Sequence, residues 1–183
     1  MYQKITKEQK KDCDRKVIEF CQKYDLSLPA GYDIVKICKS LGFKVLSLSL
    51  TGELGRFDGV ILVNPEQKVI GINNKLDMQK ARFTIAHELS HYIYNDMSDD
   101  RQEVVATRDT IFHKEAKPII EHMMDYMAAT LLVPENEFKK ALSALNVVFP
   151  CKAEDVAPDI IDYLAYKFIV DKDVIRKRFD EVA

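Results

Sequence analysis

One short run of this sequence, Arg82-Phe-Thr-Ile-Ala-His87-Glu88-Leu-Ser-His91-Tyr-Ile-Tyr94, combines residue types and spacings that can do chemistry. His87 and His91 are four residues apart, so on a helix they share one face. Two neutral imidazoles in that relation can grip a single metal ion at the ~2.1 Å typical of zinc–nitrogen bonds. Glu88 points about 100° around the helix from His87, away from the plane of the two ligands. It is placed to accept a proton from a water on the open side of the metal. Phe83, Ile85, Ala86, Leu89 and Ile93 supply the apolar face that a half-buried helix needs. Two of the four histidines of the chain fall in this one turn.

A catalytic site of this type takes a third protein ligand and leaves a fourth position for water. A metzincin continuation would place a glycine and a third histidine soon after His91, but Tyr92, Ile93, Tyr94 and Asn95 follow. The best candidate is Glu121, in Glu121-His-Met-Met-Asp125-Tyr-Met-Ala-Ala-Thr-Leu-Leu-Val-Pro134. Glu121 and Asp125 share a helical face, so Glu121 can ligate while Asp125 accepts the second N–H of a ligating histidine. Ala128 and Ala129 are small enough to let this helix approach the His87–His91 helix. The rivals of Glu121 are His113, His122, Asp96, Asp99, Asp100, Glu103 and Glu115. Tyr92, Tyr94, Tyr126 and His113 are candidates for an oxyanion or substrate contact. Zinc suits a site of two histidines and one glutamate, with manganese as the alternative.

The elements that must position these groups are legible from periodicity and turn residues. Residues 7–24 repeat apolar positions at helical spacing, and a shorter helix follows with Ile34, Val35, Cys38 and Leu41, stopped by Gly42. The pattern then changes to alternation over Phe43–Leu50, which predicts a strand. Gly59–Asn64 and Val69–Asn73, joined by Asn64-Pro65-Glu66-Gln67-Lys68, predict a hairpin. The second of these strands is the expected edge for an extended substrate. Asp77 is the expected cap of the helix running to Tyr94. Residues 95–117 are charged and read as an irregular excursion. Pro118 opens the next helix and Pro134 follows its end. The tail is helical, interrupted near 146–159. The fold class expected is α+β with a small antiparallel or mixed sheet. Residues 1–134 form the expected core, and 135–183 a helical extension packed on it.

Composition narrows the function classes. The chain has 183 residues, with 27 Lys and Arg against 29 Asp and Glu, for a net charge of −2. That excludes a broad basic surface for nucleic acid or anionic lipid. The uncharged run 141–151 is too short for a membrane span, which needs ~20 residues. Lysines and arginines interrupt the N-terminal region, so no secretory signal is visible there. Cys13, Cys21, Cys38 and Cys151 form no C-x-x-C pair and read as free thiols of a cytoplasmic protein.

The run Arg82–His91, the segment Glu121–Pro134 and the strand end Ile70-Gly-Ile-Asn73 resemble the ImmA/IrrE-type metallopeptidases of bacteria, phages and mobile elements. The likeness extends over about residues 15–180, including Leu164–Val170 and Val174–Phe179. It implies a zincin-like fold, with His87, His91 and Glu121 as ligands and Glu88 as general base. It also implies a protein substrate, a helix-turn-helix transcriptional repressor. The chain departs from the family in carrying Met124-Asp125 and Met127 where Ala-Asn and an aromatic are common.

Two other classes compete. One is a DNA-binding regulator that uses the helical pair of the tail. There, five basic residues (Lys167, Lys172, Arg176, Lys177, Arg178) face six acidic ones, a poor match for a phosphate backbone. Arg176-Lys-Arg178 reads instead as a solvated helix face or a contact for an acidic partner. The other is a non-catalytic metal site, against which Glu88 argues, because a structural site has no use for an acid beside its ligands.

Overall fold

The computed structural model describes residues 5–49, 57–95, 104–107 and 118–182. Within them, helix α1 (Lys7–Lys23) and helix α2 (Ile34–Ser40) precede strands β1 (Phe43–Leu48), β2 (Gly59–Val63) and β3 (Lys68–Asn73). Helix α3 (Met78–Tyr94), strand β4 (Val104–Thr107) and helix α4 (Ile119–Leu132) follow. Helices α5 (Glu135–Ala144), α6 (Pro158–Phe168) and α7 (Lys172–Val182) complete the α+β arrangement.

Local chemistry explains the helix starts. Thr6 and Gln9 form a reciprocal capping box on α1. The Asp33 carboxylate accepts from Val35 N and Lys36 N at the start of α2, and that of Asp77 from Lys80 N at 2.9 Å at the start of α3. Pro118 and Pro134 occupy the N-cap positions of α4 and α5, just outside each helix. The hairpin turn is held by the Asn64 side chain, which accepts from Glu66 N and Gln67 N. Gly42, at φ +86°, takes the left-handed conformation that ends α2.

The sheet is mixed, in the order β1-β3-β2-β4. β3 pairs parallel with β1 and antiparallel with β2, and β4 closes the far side antiparallel to β2. Two expectations are corrected here. β3 is an interior strand, so it is not the edge to which an extended substrate can pair; among the described residues β1 and β4 are the outer strands. The excursion 95–117 contains a strand, β4, whose pairing with β2 is a long-range event that a charged local composition does not announce.

A contiguous hydrophobic core runs from Cys13 and Val17 of α1, through Ile61, Ile70 and Ile72 of the sheet, to Phe138, Phe168 and Phe179 of the C-terminal helices. Phe138 sits at its C-terminal end, with its ring 5.1 Å from Phe179, 6.3 Å from Phe168 and 6.4 Å from Phe149. Arg178 corrects a third expectation. It does not lie on the solvated face but is buried, donating to Val133 O and Thr130 Oγ1 and pairing with Glu181 at 3.1 Å. Arg176 and Lys177 are exposed. All four cysteines are free, and burial pushes the Cys13 and Cys38 thiols up to about 12.

Arg82, at the entry to the His87–His91 run, ties α3 to two distant segments. Its Nη1 donates to Tyr32 O at 2.7 Å, and its Nε donates to Ile169 O at 3.2 Å. Ile169 ends α6 at φ +54°, a strained position for a β-branched residue, so its carbonyl is held where the guanidinium needs it. Replacing Arg82 with Ala leaves both carbonyls without this charged donor. It should lower unfolding free energy by about 2 kcal/mol, read from urea denaturation of the metal-free protein.

Candidate metal centre

Helix α3 packs closely against α4. The small residues Ala86 on α3 and Ala128 and Ala129 on α4 are all buried. The two helices bring together the groups singled out in the sequence. His87 is 1% exposed, Glu88 0%, His91 6% and Glu121 6%. Among the described residues, His87, His91 and Glu121 each offer one ligand atom, and all three atoms lie within 4.8 Å of one another.

The contacts show how the cluster is held. Glu121 Oε2 lies 3.1 Å from His87 Nε2, and Glu121 Oε1 lies 3.3 Å from His91 Nε2. His87 Nδ1 lies 2.9 Å from Asp125 Oδ1. The carboxylates only accept, so both ring nitrogens of His87 act as donors and the imidazolium form is favoured. Burial alone would pull the His87 pKa down, but the hydrogen bonds to Asp125 and Glu121 outweigh it and hold it above its ordinary value. Burial pushes the Glu121 carboxyl up, but the two imidazoles outweigh that and hold it well below the usual carboxylate range.

The donor set fits a metal ion. Two imidazole nitrogens and one carboxylate oxygen converge in a buried space, which is the chemistry of a three-ligand site with an open position. With its Nδ1 held by Asp125, His87 turns Nε2 toward Glu121 and so has that nitrogen to offer an ion; an outer carboxylate of this kind would raise its basicity. The rivals of Glu121 fall into two groups. His113, Asp96, Asp99, Asp100, Glu103 and Glu115 lie outside the described residues. His122 is half-buried and lines a cavity of about 400 Å³ with Phe83 and Asp125, rather than joining the three-ligand group.

The structure engages the candidate oxyanion tyrosines elsewhere. Tyr126 donates to both Asp14 oxygens, at 3.0 and 3.1 Å, and so ties α4 to α1. The Tyr92 hydroxyl accepts from Lys68 Nζ at 3.3 Å, and its ring meets Phe43 edge-on at 5.1 Å. The Tyr94 ring lies beneath Lys16 Nζ at 4.9 Å, and the same ammonium donates to Tyr94 O. These tyrosines fasten the site helices to α1 and to the sheet, a role that residue type and spacing do not disclose. His113 lies outside the described residues.

The model of a peptidase family described as an IrrE N-terminal-like domain matches residues 38–180. The chain belongs to that family, and its α+β architecture is the zincin-like fold expected of it. A comparison with curated proteins finds no match. Among solved structures, a Mycobacterium tuberculosis transcriptional regulator is similar at TM-score 0.54 and 19% identity. The likeness covers 90% of this chain and 45% of that one, so this chain spans less than half its length. At this identity the likeness concerns the fold.

The charge state of the cluster gives a signed expectation. A metal must displace the proton that His87 holds above its ordinary pKa, so apparent zinc affinity should weaken as pH falls and should recover as pH rises. Asp125→Ala should weaken zinc binding about 10- to 100-fold, measured by competition with a chromogenic chelator. Saturating zinc should also raise Tm in the native chain, and much less in His87→Ala.

Proposed function

We propose that this chain is a zinc-dependent endopeptidase of the cytoplasm, and that it cleaves a helix-turn-helix transcriptional repressor. The observation that carries the peptidase reading is the buried meeting of His87, His91 and Glu121 on two helices, with Glu88 next in sequence to a ligand. Membership of a peptidase family supports hydrolysis of a protein substrate. The repressor rests on the ImmA/IrrE resemblance, and the regulatory title of the structural neighbour is in keeping with it. No helix among the described residues is long and apolar enough to cross a membrane.

In this reading His87, His91 and Glu121 hold the ion. When bound, it supplies Lewis acidity, polarising the scissile carbonyl and acidifying a water. Asp125 keeps the His87 ring in the tautomer that presents Nε2. The Glu88 carboxylate takes a proton from the attacking water and returns it to the leaving amide nitrogen. Manganese is the alternative ion for the same donors. Residues 1–134 constitute the peptidase core in this proposal, and 135–183 an extension packed on it.

Direct DNA binding is disfavoured by the helical pair itself. One of its five basic side chains, Arg178, is buried, and Lys172 and Arg176 are paired with Asp162 and Asp173. The carboxylates set against these exposed cations would repel a phosphate backbone.

Glu88→Gln should retain about one zinc per chain and lower cleavage of a helix-turn-helix repressor substrate by roughly 10²- to 10⁴-fold, read by gel and mass spectrometry. Cleavage that survives this substitution, or survives a strong chelator, would overturn the hydrolytic mechanism.

A further inference from the structure

Strand β2 buries Gly59, Ile61 and Val63 on one face, and its partner β3 contributes Ile70 and Ile72 to the same core. Gly59 pairs directly with Ile72, and Ile61 with Ile70. Four of these five positions carry branched apolar side chains, as a sheet packed on a helix favours. The fifth has no side chain at all. Gly59 opens β2 at a buried ladder position, where a glycine forgoes the side chain that would pack there, so it calls for a reason. Conformation is not the reason, because Gly59 is not among the residues of positive φ. Space is. A Cβ at this position would lie 2.4 Å from Thr84 Cγ2, 3.0 Å from Glu88 Oε1 and 3.2 Å from Glu88 Cγ.

Thr84 and Glu88 are one turn apart on α3, so the same face of the helix that presents Glu88 lies against the bare backbone of β2. We propose that Gly59 is a positioning residue for Glu88: its missing side chain leaves the room in which the Glu88 carboxyl is set between β2 and α3. The proposal rests on the reading of Glu88 as the proton carrier. A Cβ at 59 forces Thr84 Cγ2 aside and makes the Glu88 side chain give by a few tenths of an ångström, whereas His87, His91 and Glu121 are not among the atoms it meets. The two clashes separate cleanly. Contact with Thr84 concerns packing, whereas contact with Glu88 concerns the site.

The test uses the zinc-loaded full chain and acetohydroxamic acid, whose N–H can donate, and whose hydroxyl proton can pass, to a carboxylate beside the metal site. Gly59→Ala should keep about one zinc per chain, lower Tm, and weaken acetohydroxamate binding about tenfold or more, as Glu88→Gln does. Adding Thr84→Ser removes Cγ2, the nearest clash, so Gly59→Ala/Thr84→Ser should regain most of the lost Tm yet bind acetohydroxamate as weakly as Gly59→Ala. Thr84→Ser alone should bind it normally. Recovery of Tm and affinity together in the double variant, or undiminished affinity in Gly59→Ala, would show that Gly59 serves packing alone and would overturn the positioning role. If Glu88→Gln itself left acetohydroxamate binding unchanged, the proton-carrier reading would fail, and the positioning role with it.

Discussion

The structure depends on burying ionisable groups between α3 and α4. Transferring a charge out of water is costly unless other charges and hydrogen bonds replace the lost solvation. Here Glu121 faces both imidazoles, and Asp125 takes the remaining nitrogen of His87. Each group is thereby stabilised only while the two helices stay in register. A shift of one helix along the other would strand a carboxylate or an imidazolium in the core, so the polar cluster fixes the helix pair as much as the helix pair builds the cluster.

The remainder of the fold acts on that register from several directions. Arg82 anchors the N-terminal half of α3 to Tyr32 and Ile169, and Lys16 meets the carbonyl of Tyr94 at its other end. Tyr126, adjacent to Asp125, is tied to Asp14 of α1. On the sheet side, Asn73 Nδ2 donates to Phe57 O, and Asn73 N donates to Asp58 O, which sets the path of the chain into β2 just before Gly59. The C-terminal helices share the same hydrophobic core and place the guanidinium of Arg178 against Val133 O, where α4 ends. The extension beyond Pro134 thus bears directly on the helix that carries Glu121.

What the sequence disclosed follows from the range of the interactions concerned. Asp77 at the cap of α3, the turn at Asn64 and the i,i+4 pairs His87–His91 and Glu121–Asp125 are local, and the structure places each where local rules put it. Pairing across the chain leaves no such mark. β4 joins β2 from inside a charged segment, and β3 becomes an interior strand because β1, some 25 residues earlier in register, pairs on its other side. The burial of Arg178 was hidden because three basic residues in a row look alike in sequence. Only the helical phase against α4 separates the inward one from its neighbours. Tyr92, Tyr94 and Tyr126 stand out in the sequence by type and by nearness to the histidines and Asp125, whereas their partners Lys68, Lys16 and Asp14 lie on other elements.

The pattern of burial on α3 separates residues that only pack from those that do more. From Thr84 to Ile93 every residue is buried, so the helix has no solvated face there on which to place polar side chains. Six of those ten residues, Thr84, His87, Glu88, Ser90, His91 and Tyr92, nevertheless carry polar groups. Ser90 is satisfied within its own helix, donating to Ala86 O at 2.7 Å, the common device of a hydroxyl in a buried turn. Imidazoles and carboxylates cannot be satisfied in that way, because their atoms reach beyond the backbone of their own turn. They require partners from a second element, which α4 supplies for both histidines. A helix buried on all sides by a sheet and another helix would be more stable with apolar residues at these positions. That the chain keeps three ionisable groups in one turn, and folds a second helix to meet them, is the physical ground for reading this turn as a working site rather than as part of the core.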